Sequence, residues 1–355
     1  MQLDSPTSSS RERGAIAIFL ALTLVLILGV AAFVIDIGGG LVTRAQLQNV
    51  SDAGSLAAGR ELVRIYQALP ATTNNKTYML TPGDQARIFG KAYEFAGANK
   101  AGGVAISVLE PDLIYGTYDH ATGEVTPTTT GVRAIKLLSR RDDTANGVVE
   151  TTLGGVLGVQ TLSVRASAAV GISALGTMAE GDADVPVGIS SHWFDSNACS
   201  PTSTIKFFPT GTADGCAGWH TFIESPASAA RLGRILDALR TDTYESPETT
   251  AGQTSYNFTG GTVSSRFSDM KALYDAKKDG NGDWSVLVPV YQDSTCNNPN
   301  GALPIIGFAR ARIYQVTTAP SPTILANVEC GVVSDGAGNG PNDYGTLYAS
   351  PGMIQ

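Results

Sequence analysis

The run whose spacing most resembles an ion site is Asp279-Gly280-Asn281-Gly282-Asp283. Asp279, Asn281 and Asp283 offer side-chain oxygens at alternate positions, as at the start of a calcium loop. The match ends there, because Trp284 stands where such a loop needs glycine and Val290 where it needs glutamate. The same five residues also read as a polar turn leading into a strand. Calcium is thus one reading and a turn the other, and no other cofactor is expected.

The four cysteines, Cys199, Cys216, Cys296 and Cys330, all lie in the distal half. An even number in an oxidising compartment predicts two disulfides, with three connectivities open. Closeness in sequence favours Cys199–Cys216 and Cys296–Cys330, the latter worth about 3–4 kcal/mol through loop entropy. With no C-x-x-C and no nearby histidine pair, zinc is disfavoured. His192-Trp193 and Trp219-His220 sit within a few residues of the first proposed bridge. Trp193 and Trp219 read either as an exposed recognition patch for a surface ligand or as core residues of a disulfide-tied subdomain. The chain lacks the G-x-S-x-G, H-E-x-x-H and Walker signatures. Arg140-Arg141-Asp142-Asp143 reads as a solvated mixed-sign turn. A net charge of −8 argues against nucleic-acid binding, which needs a basic face to displace counterions.

These groups must be positioned by the elements around them, and the first such element is a membrane span. Gly14 to Ile35 carry no charge, and as a helix they would extend about 33 Å, enough for a hydrocarbon core of roughly 30 Å. The stretch exceeds the apolar core of a cleavable signal peptide, which is the alternative. Arg11 and Arg13 precede it, and the first basic residue beyond it is Arg44. The positive-inside rule then puts residues 1–13 in the cytoplasm and the remainder outside. Asp36, at the outer end, either contacts another helix of an assembly or sits at the water interface. Residues 38–70 read as a helical stalk, loosened at Gly38-Gly39-Gly40.

Arg13-Gly14, the apolar span, Val34-Ile35-Asp36-Ile37-Gly38, Arg44-Ala45-Gln46-Leu47-Gln48-Asn49, Asp52-Ala53 and Leu56-Ala57-Ala58 together resemble the N-terminal module of Tad/Flp pilus-assembly proteins of the TadG type. The resemblance implies a single-pass protein of the bacterial inner membrane, or one associated with the pilus, in a type IVc pilus system. Its partners would be pilin or pseudopilin subunits and other Tad secretion components, and Gly14, Phe19, Asp36, Gln46, Leu47, Asn49 and Asp52 would serve helix packing and assembly. Related pseudopilins carry a glutamate five residues after the glycine of their peptidase site. Here that position is Phe19, which favours the uncleaved branch. The D-x-S-x-S run of the adhesive domain found in some relatives is missing.

Beyond the stalk, residues 81–97 predict a helix capped by Thr81, with Asp84 reaching back and Ile88, Phe89, Ala92, Phe95 and Ala96 forming its apolar stripe. Strands are expected at 104–109 and 113–118, joined as a hairpin across Glu110-Pro111-Asp112, and at 132–138. Residues 161–172 alternate strictly, so Val164, Ala166, Ala168, Val170 and Ile172 share a face. A linker is expected at 176–186. Further on, helices are expected after Ser225-Pro226 and over 267–277, with strands at 284–291, 304–316 and 324–332 and an irregular tail from 335. The class is therefore α+β: one transmembrane helix (14–37), a stalk (38–70), and two exterior domains of mainly antiparallel sheet with packed helices (71–180 and 181–355). The expected role is a non-enzymatic structural or assembly component resembling a minor pilin. The alternatives are a surface adhesin working through the disulfide domain and a membrane-anchored exterior hydrolase.

Overall fold

The computed structural model describes residues 9–70, 73–119, 122, 124–197, 204–207, 215–259, 263–340 and 342–354. A long apolar helix precedes mostly antiparallel sheets and a few helices, an α+β architecture. The chain divides into two compact units. One comprises Met1–Ser55, Ala92–Leu113 and Leu137–Ala168; the other comprises Leu56–Lys91, Ile114–Lys136 and Ala169–Gln355.

Helix α1 spans Ser9–Ala68. It runs unbroken through Gly38-Gly39-Gly40, where a loosening was expected. Local propensity disfavours glycine in a helix by only about 1 kcal/mol per residue relative to alanine, too little to break a helix held on both sides. Helix α2, Pro82–Gly97, starts on the expected capping box: the Asp84 carboxylate accepts the Thr81 backbone N–H (3.0 Å), and the Thr81 hydroxyl accepts the Asp84 N–H (3.1 Å). Its buried stripe is narrower than its sequence suggested. Ile88, Ala92 and Ala96, spaced one helical turn apart, are fully covered, whereas Phe95 is 44% exposed.

In the first unit, α1 buries Thr43, Leu47, Val50 and Ser51. The Ser51 hydroxyl pairs with that of Ser139 (2.7 Å), and Ser139 in turn donates to the Leu47 carbonyl (2.8 Å). These mutually satisfied hydroxyls let polar side chains sit in a core at little cost. Gly54 permits the closest approach, since a Cβ there would meet Leu137 Cδ2 at 2.4 Å. Gly54→Ala should therefore destabilise the protein by about 1 kcal/mol, crowding outweighing the gain in helix propensity. At Gly90 a Cβ meets nothing within 4 Å, so Gly90→Ala should stabilise by about 0.5–1 kcal/mol. Urea melts of the full chain in detergent would read the two opposite signs.

The same unit overturns the solvated reading of residues 140–143. Arg141 is buried, and its guanidinium donates to the carbonyls of Ala101, Gly102, Asn146, Gly147 and Val148. Asp142 is fully covered and accepts the N–H groups of Thr144 (2.9 Å) and Ala145 (3.1 Å) together with Arg165 Nε (2.8 Å). Arg140 pairs with buried Asp112. A run of mixed charge normally stays in water; here Arg140, Arg141 and Asp142 are matched by partners within the unit, as burial requires, while Asp143 stays exposed.

One five-stranded sheet contains β1 (Leu113–Asp119), β2 (Glu124–Pro127), β3 (Ala134–Arg141) and β4 (Val164–Gly171). The alternation expected of β4 is realised, with Val164, Ala166, Ala168 and Val170 buried. The expected hairpin is not. Glu110–Asp112 forms a 3-10 turn, and β1 pairs instead with β2, Gly116 opposite Pro127.

The second unit holds a seven-stranded sheet built from β5 (Val187–Ser190), β6 (Thr204–Phe207), β7 (Ala217–Trp219), β8 (Ser255–Phe258), β9 (Trp284–Tyr291), β10 (Gly301–Thr317) and β11 (Thr323–Glu329). Its order is β6-β11-β10-β9-β5-β7, with β8 added on β10. Only β5 and β9 run parallel among these pairs. A short helix α3 (Ser191–Ser196) follows β5; α4 (Ala229–Arg240) and α5 (Phe267–Lys277) pack together, and α5 packs on β10. The stretch 176–186, expected as a linker, contributes Met178, Ala183 and Val185 to this core. The C-terminal residues, expected as an irregular tail, supply two strands. β13 (Thr346–Tyr348) lies parallel to β12 (Val332–Ser334), and β14 (Gly352–Ile354) adds to β4 with Gly352 opposite Gly171.

Candidate functional site

The uncovered part of α1 is the most distinctive surface of the molecule. From Ile16 to Val42 its large apolar side chains stand exposed on all sides, Phe19 at 72% and Leu26 at 68%. A helix in water hides one apolar face; one that is apolar all round requires an apolar surrounding. From Thr43 onward the pattern changes to buried positions three or four residues apart, Thr43, Leu47, Val50 and Ser51, and one face is covered by the protein itself. The switch lies beside Arg44, the first basic residue after the span.

Asp36 marks the end of the apolar stretch. Its carboxylate accepts three backbone N–H groups, from Thr152 (2.6 Å), Leu153 (3.0 Å) and Gly154 (2.5 Å). Charge-assisted bonds of this kind are about twice as strong as neutral ones. The partner of Asp36 is thus a loop of its own unit, residues 151–160. Sequence reasoning missed this latch, since a glycine-rich turn gives no local sign of receiving a carboxylate more than a hundred residues away.

The other positions singled out on the helix are used unequally. Gly14 lies in the helix, and Phe19 is exposed. Gln46 accepts the Gly102 N–H (2.7 Å), and Asp52 accepts from Gln48 (2.8 Å). Asn49 is exposed. Leu47 is fully buried.

Of the two readings of the tryptophans, the exposed patch is corrected and the core position holds. Trp193 and Trp219 are 5% and 6% exposed. Trp193 packs edge-on against Phe194 (4.9 Å) and Trp219 against Phe267 (5.6 Å). Their indoles serve the core of the second unit.

The proposed cysteine pairing is also corrected. Cys216 is bridged to Cys296, across 80 residues. Cys330 is disulfide-bonded as well, and Cys199 lies outside the described residues. The reason for the Cys216–Cys296 pair is β5, which lies between β7 and β9. Ser190 at its end donates its N–H to the Cys216 carbonyl (2.8 Å) and its hydroxyl to the Thr295 carbonyl (3.0 Å). The start of β7 and the loop after β9 therefore meet at one point, and spatial adjacency overrides sequence adjacency.

In the 279–283 loop, the Asp279 carboxylate accepts the N–H groups of Asn281 (2.9 Å) and Asp283 (2.8 Å). Asp283 pairs with Arg312 (2.8 Å). The oxygens thus shape a turn and face a cation of the protein. No metal-binding cluster of His, Cys, Asp or Glu occurs among the described residues.

His220 lies fully buried among Phe222, Tyr256 and Phe258, and its Nδ1 accepts the Phe222 N–H (3.2 Å). Burial lowers its pKa from 6.5 to about 3. The unfolded chain therefore takes up a proton below about pH 6.5 that the folded chain refuses. Stability is full above that pH and declines as pH falls toward 3, by about 2 kcal/mol between pH 7 and pH 5. Urea midpoints at the two pH values should differ accordingly, and His220→Phe should flatten the dependence.

A long exposed apolar helix ahead of an α+β body is the build of a membrane-anchored protein. More specifically, residues 14–61 match the Tad family model, described as "Putative Flp pilus-assembly TadE/G-like". The chain carries a Tad module over its anchor and the adjoining helix, and its role is related to pilus assembly. No curated protein and no solved structure matches the chain.

Proposed function

We propose that the protein is a non-enzymatic structural or assembly component, akin to a minor pilin, of a Tad/Flp type IVc pilus apparatus. Residues 14–37 hold it in the bacterial inner membrane, residues 1–13 face the cytoplasm, and the region beyond contacts pilin or pseudopilin subunits and other Tad components. The observation that carries this reading is an overlap: the Tad match over residues 14–61 contains the whole stretch of helix whose large apolar side chains are uncovered, Ile16 to Val42. Phe19, in place of a pseudopilin glutamate, supports retention of the uncleaved anchor.

The mechanism is complementarity between surfaces, with no bond-making step. Among the described residues the buried carboxylates are Glu61, Asp112, Asp142 and Glu329. Each faces an arginine: Arg87, Arg140, Arg165 and Arg312 respectively. Acids so compensated are poor general acids or bases, and a hydrolase reading gains nothing from them. The adhesin reading loses its aromatic patch with the burial of Trp193 and Trp219.

Deleting the gene should abolish or sharply reduce surface pili and surface attachment, and the native chain supplied in trans should restore both. Unchanged pilus assembly in the deletion strain would overturn the proposal.

A further inference from the structure

We infer that the loop of residues 151–160 is a second membrane contact, a short segment resting in the interfacial layer of the phospholipid bilayer beside the anchor. The inference rests on the reading of α1 as a membrane span and goes beyond it.

Position comes first. Twenty residues of helix separate Ile16 from Asp36, a rise of about 30 Å, which matches the hydrocarbon thickness. Asp36 therefore stands where hydrocarbon gives way to headgroups, and its three hydrogen bonds fix the loop at that level. The helix continues to expose Ile37, Leu41 and Val42 past this point, so the apolar surface runs on beside the loop.

Chemistry agrees. From Thr151 to Val164 there is no Asp, Glu, Lys or Arg, although Glu150 and Arg165 flank the stretch. Leu153 and Val159 are 39% and 49% exposed, apolar side chains that suit the interfacial layer.

Backbone polarity is the usual obstacle to placing a loop near lipid, because unpaired N–H groups are costly there. Here much of that cost is met within the protein. Thr152, Leu153 and Gly154 donate to Asp36, Thr151 donates to the Gln160 carbonyl (3.0 Å), and Val159 donates to the Gly154 carbonyl (2.9 Å). The Asp36 charge is compensated by the same bonds, which lowers the cost of holding it near the hydrocarbon edge. Asp36 is thus a positioning residue: it holds the contact at the depth set by the anchor.

The test uses the full chain in phospholipid vesicles, with a single added cysteine carrying an environment-sensitive fluorophore. Cys216, Cys296 and Cys330 are disulfide-bonded, and the chain without an added cysteine, taken through the same labelling, gives the background to subtract. Probes replace Leu24, Leu153, Val159 and, as a solvent control, Asn281. Nitroxide lipids labelled near the headgroup should quench the probes at 153 and 159 at least twofold more than the probe at 281. Asp36→Ala should bring the quenching at 153 and 159 down toward the control and leave Leu24 unchanged. Solvent-like emission at 153 and 159 would overturn the inference. So would shielded emission without lipid quenching, which would indicate a protein partner. The Leu24 probe separates the two levels: if acyl-chain nitroxides fail to quench it, the anchor reading itself falls, whereas quenching at 24 without quenching at 153 and 159 sinks only the loop contact.

Discussion

Replacing Leu24 and Leu26 together by arginine should remove the protein from the membrane. Both side chains are exposed on the anchor. On the insertion scale each arginine near the centre of a span costs about 2.5–3.5 kcal/mol, so the pair costs about 6 kcal/mol and forfeits two leucines as well. The favourable side is of the same size. The large apolar residues between Gly14 and Ile35, at about −0.3 to −0.6 kcal/mol each, sum to roughly −4 to −8 kcal/mol. The double substitution therefore cancels the driving force, whereas one arginine would only weaken it. Fractionation of cells producing the variant should find it depleted from the membrane pellet. Leu24→Val with Leu26→Val should fractionate as the native chain does.

The second large effect is expected at the Cys216–Cys296 bridge. The closed loop of about 80 residues corresponds to about 4–5 kcal/mol of lost unfolded-state entropy. A domain is usually stable by only about 5–15 kcal/mol, so the bridge is a large share of that margin. Cys296→Ser should lower the urea midpoint of the full chain steeply. Cys216→Ser/Cys296→Ser should cost about as much as either single change, because both remove the same bond. Peptide mapping without reduction should recover the segments around Cys216 and Cys296 joined. A Cys199–Cys216 peptide would contradict the fold around Ser190.

What could be read from the sequence depended on how locally each element is encoded. Helix α5 and strand β9 match their expected bounds at both ends, Phe267–Lys277 and Trp284–Tyr291. Both lie between polar turns, and β9 is a continuous run rich in valine and aromatic residues. The anchor was legible from its own local signal, an uncharged apolar run long enough to cross a bilayer. β5 was not legible. Its four residues, Val187–Ser190, are all buried and show no alternation, since its neighbours on the sheet lie about thirty and about a hundred residues away in the chain. β14 likewise depends on a partner, β4, far upstream. The disulfide and the Asp36 latch are consequences of those long-range pairings. The tryptophans were ambiguous in sequence because an aromatic beside a cysteine fits a core and a surface equally well; their exposure of only 5% and 6% decided the matter.

The acid sensitivity assigned to His220 and the arginine pairing of the buried carboxylates point the same way. Asp142 is pushed up by burial, but the N–H groups of Thr144 and Ala145 and the guanidinium of Arg165 outweigh this and hold its carboxyl below the ordinary range. That contribution is present above the unfolded carboxylate pKa and is lost as pH falls through the folded one. Stability should therefore decline in two stages on acidification, the histidine stage beginning near pH 6.5 and the carboxylate stage below about pH 4.

The central claim is that one helix anchors the chain and leaves the body of the protein on the far side of the inner membrane. Alkaline carbonate extraction of native membranes, combined with protease treatment of spheroplasts and of inverted vesicles, tests it most directly. The account predicts that the full chain stays in the carbonate pellet, that protease removes the region beyond α1 in spheroplasts, and that the same region is protected in inverted vesicles. Release of the chain by carbonate, or protection in spheroplasts with cleavage in inverted vesicles, would contradict it.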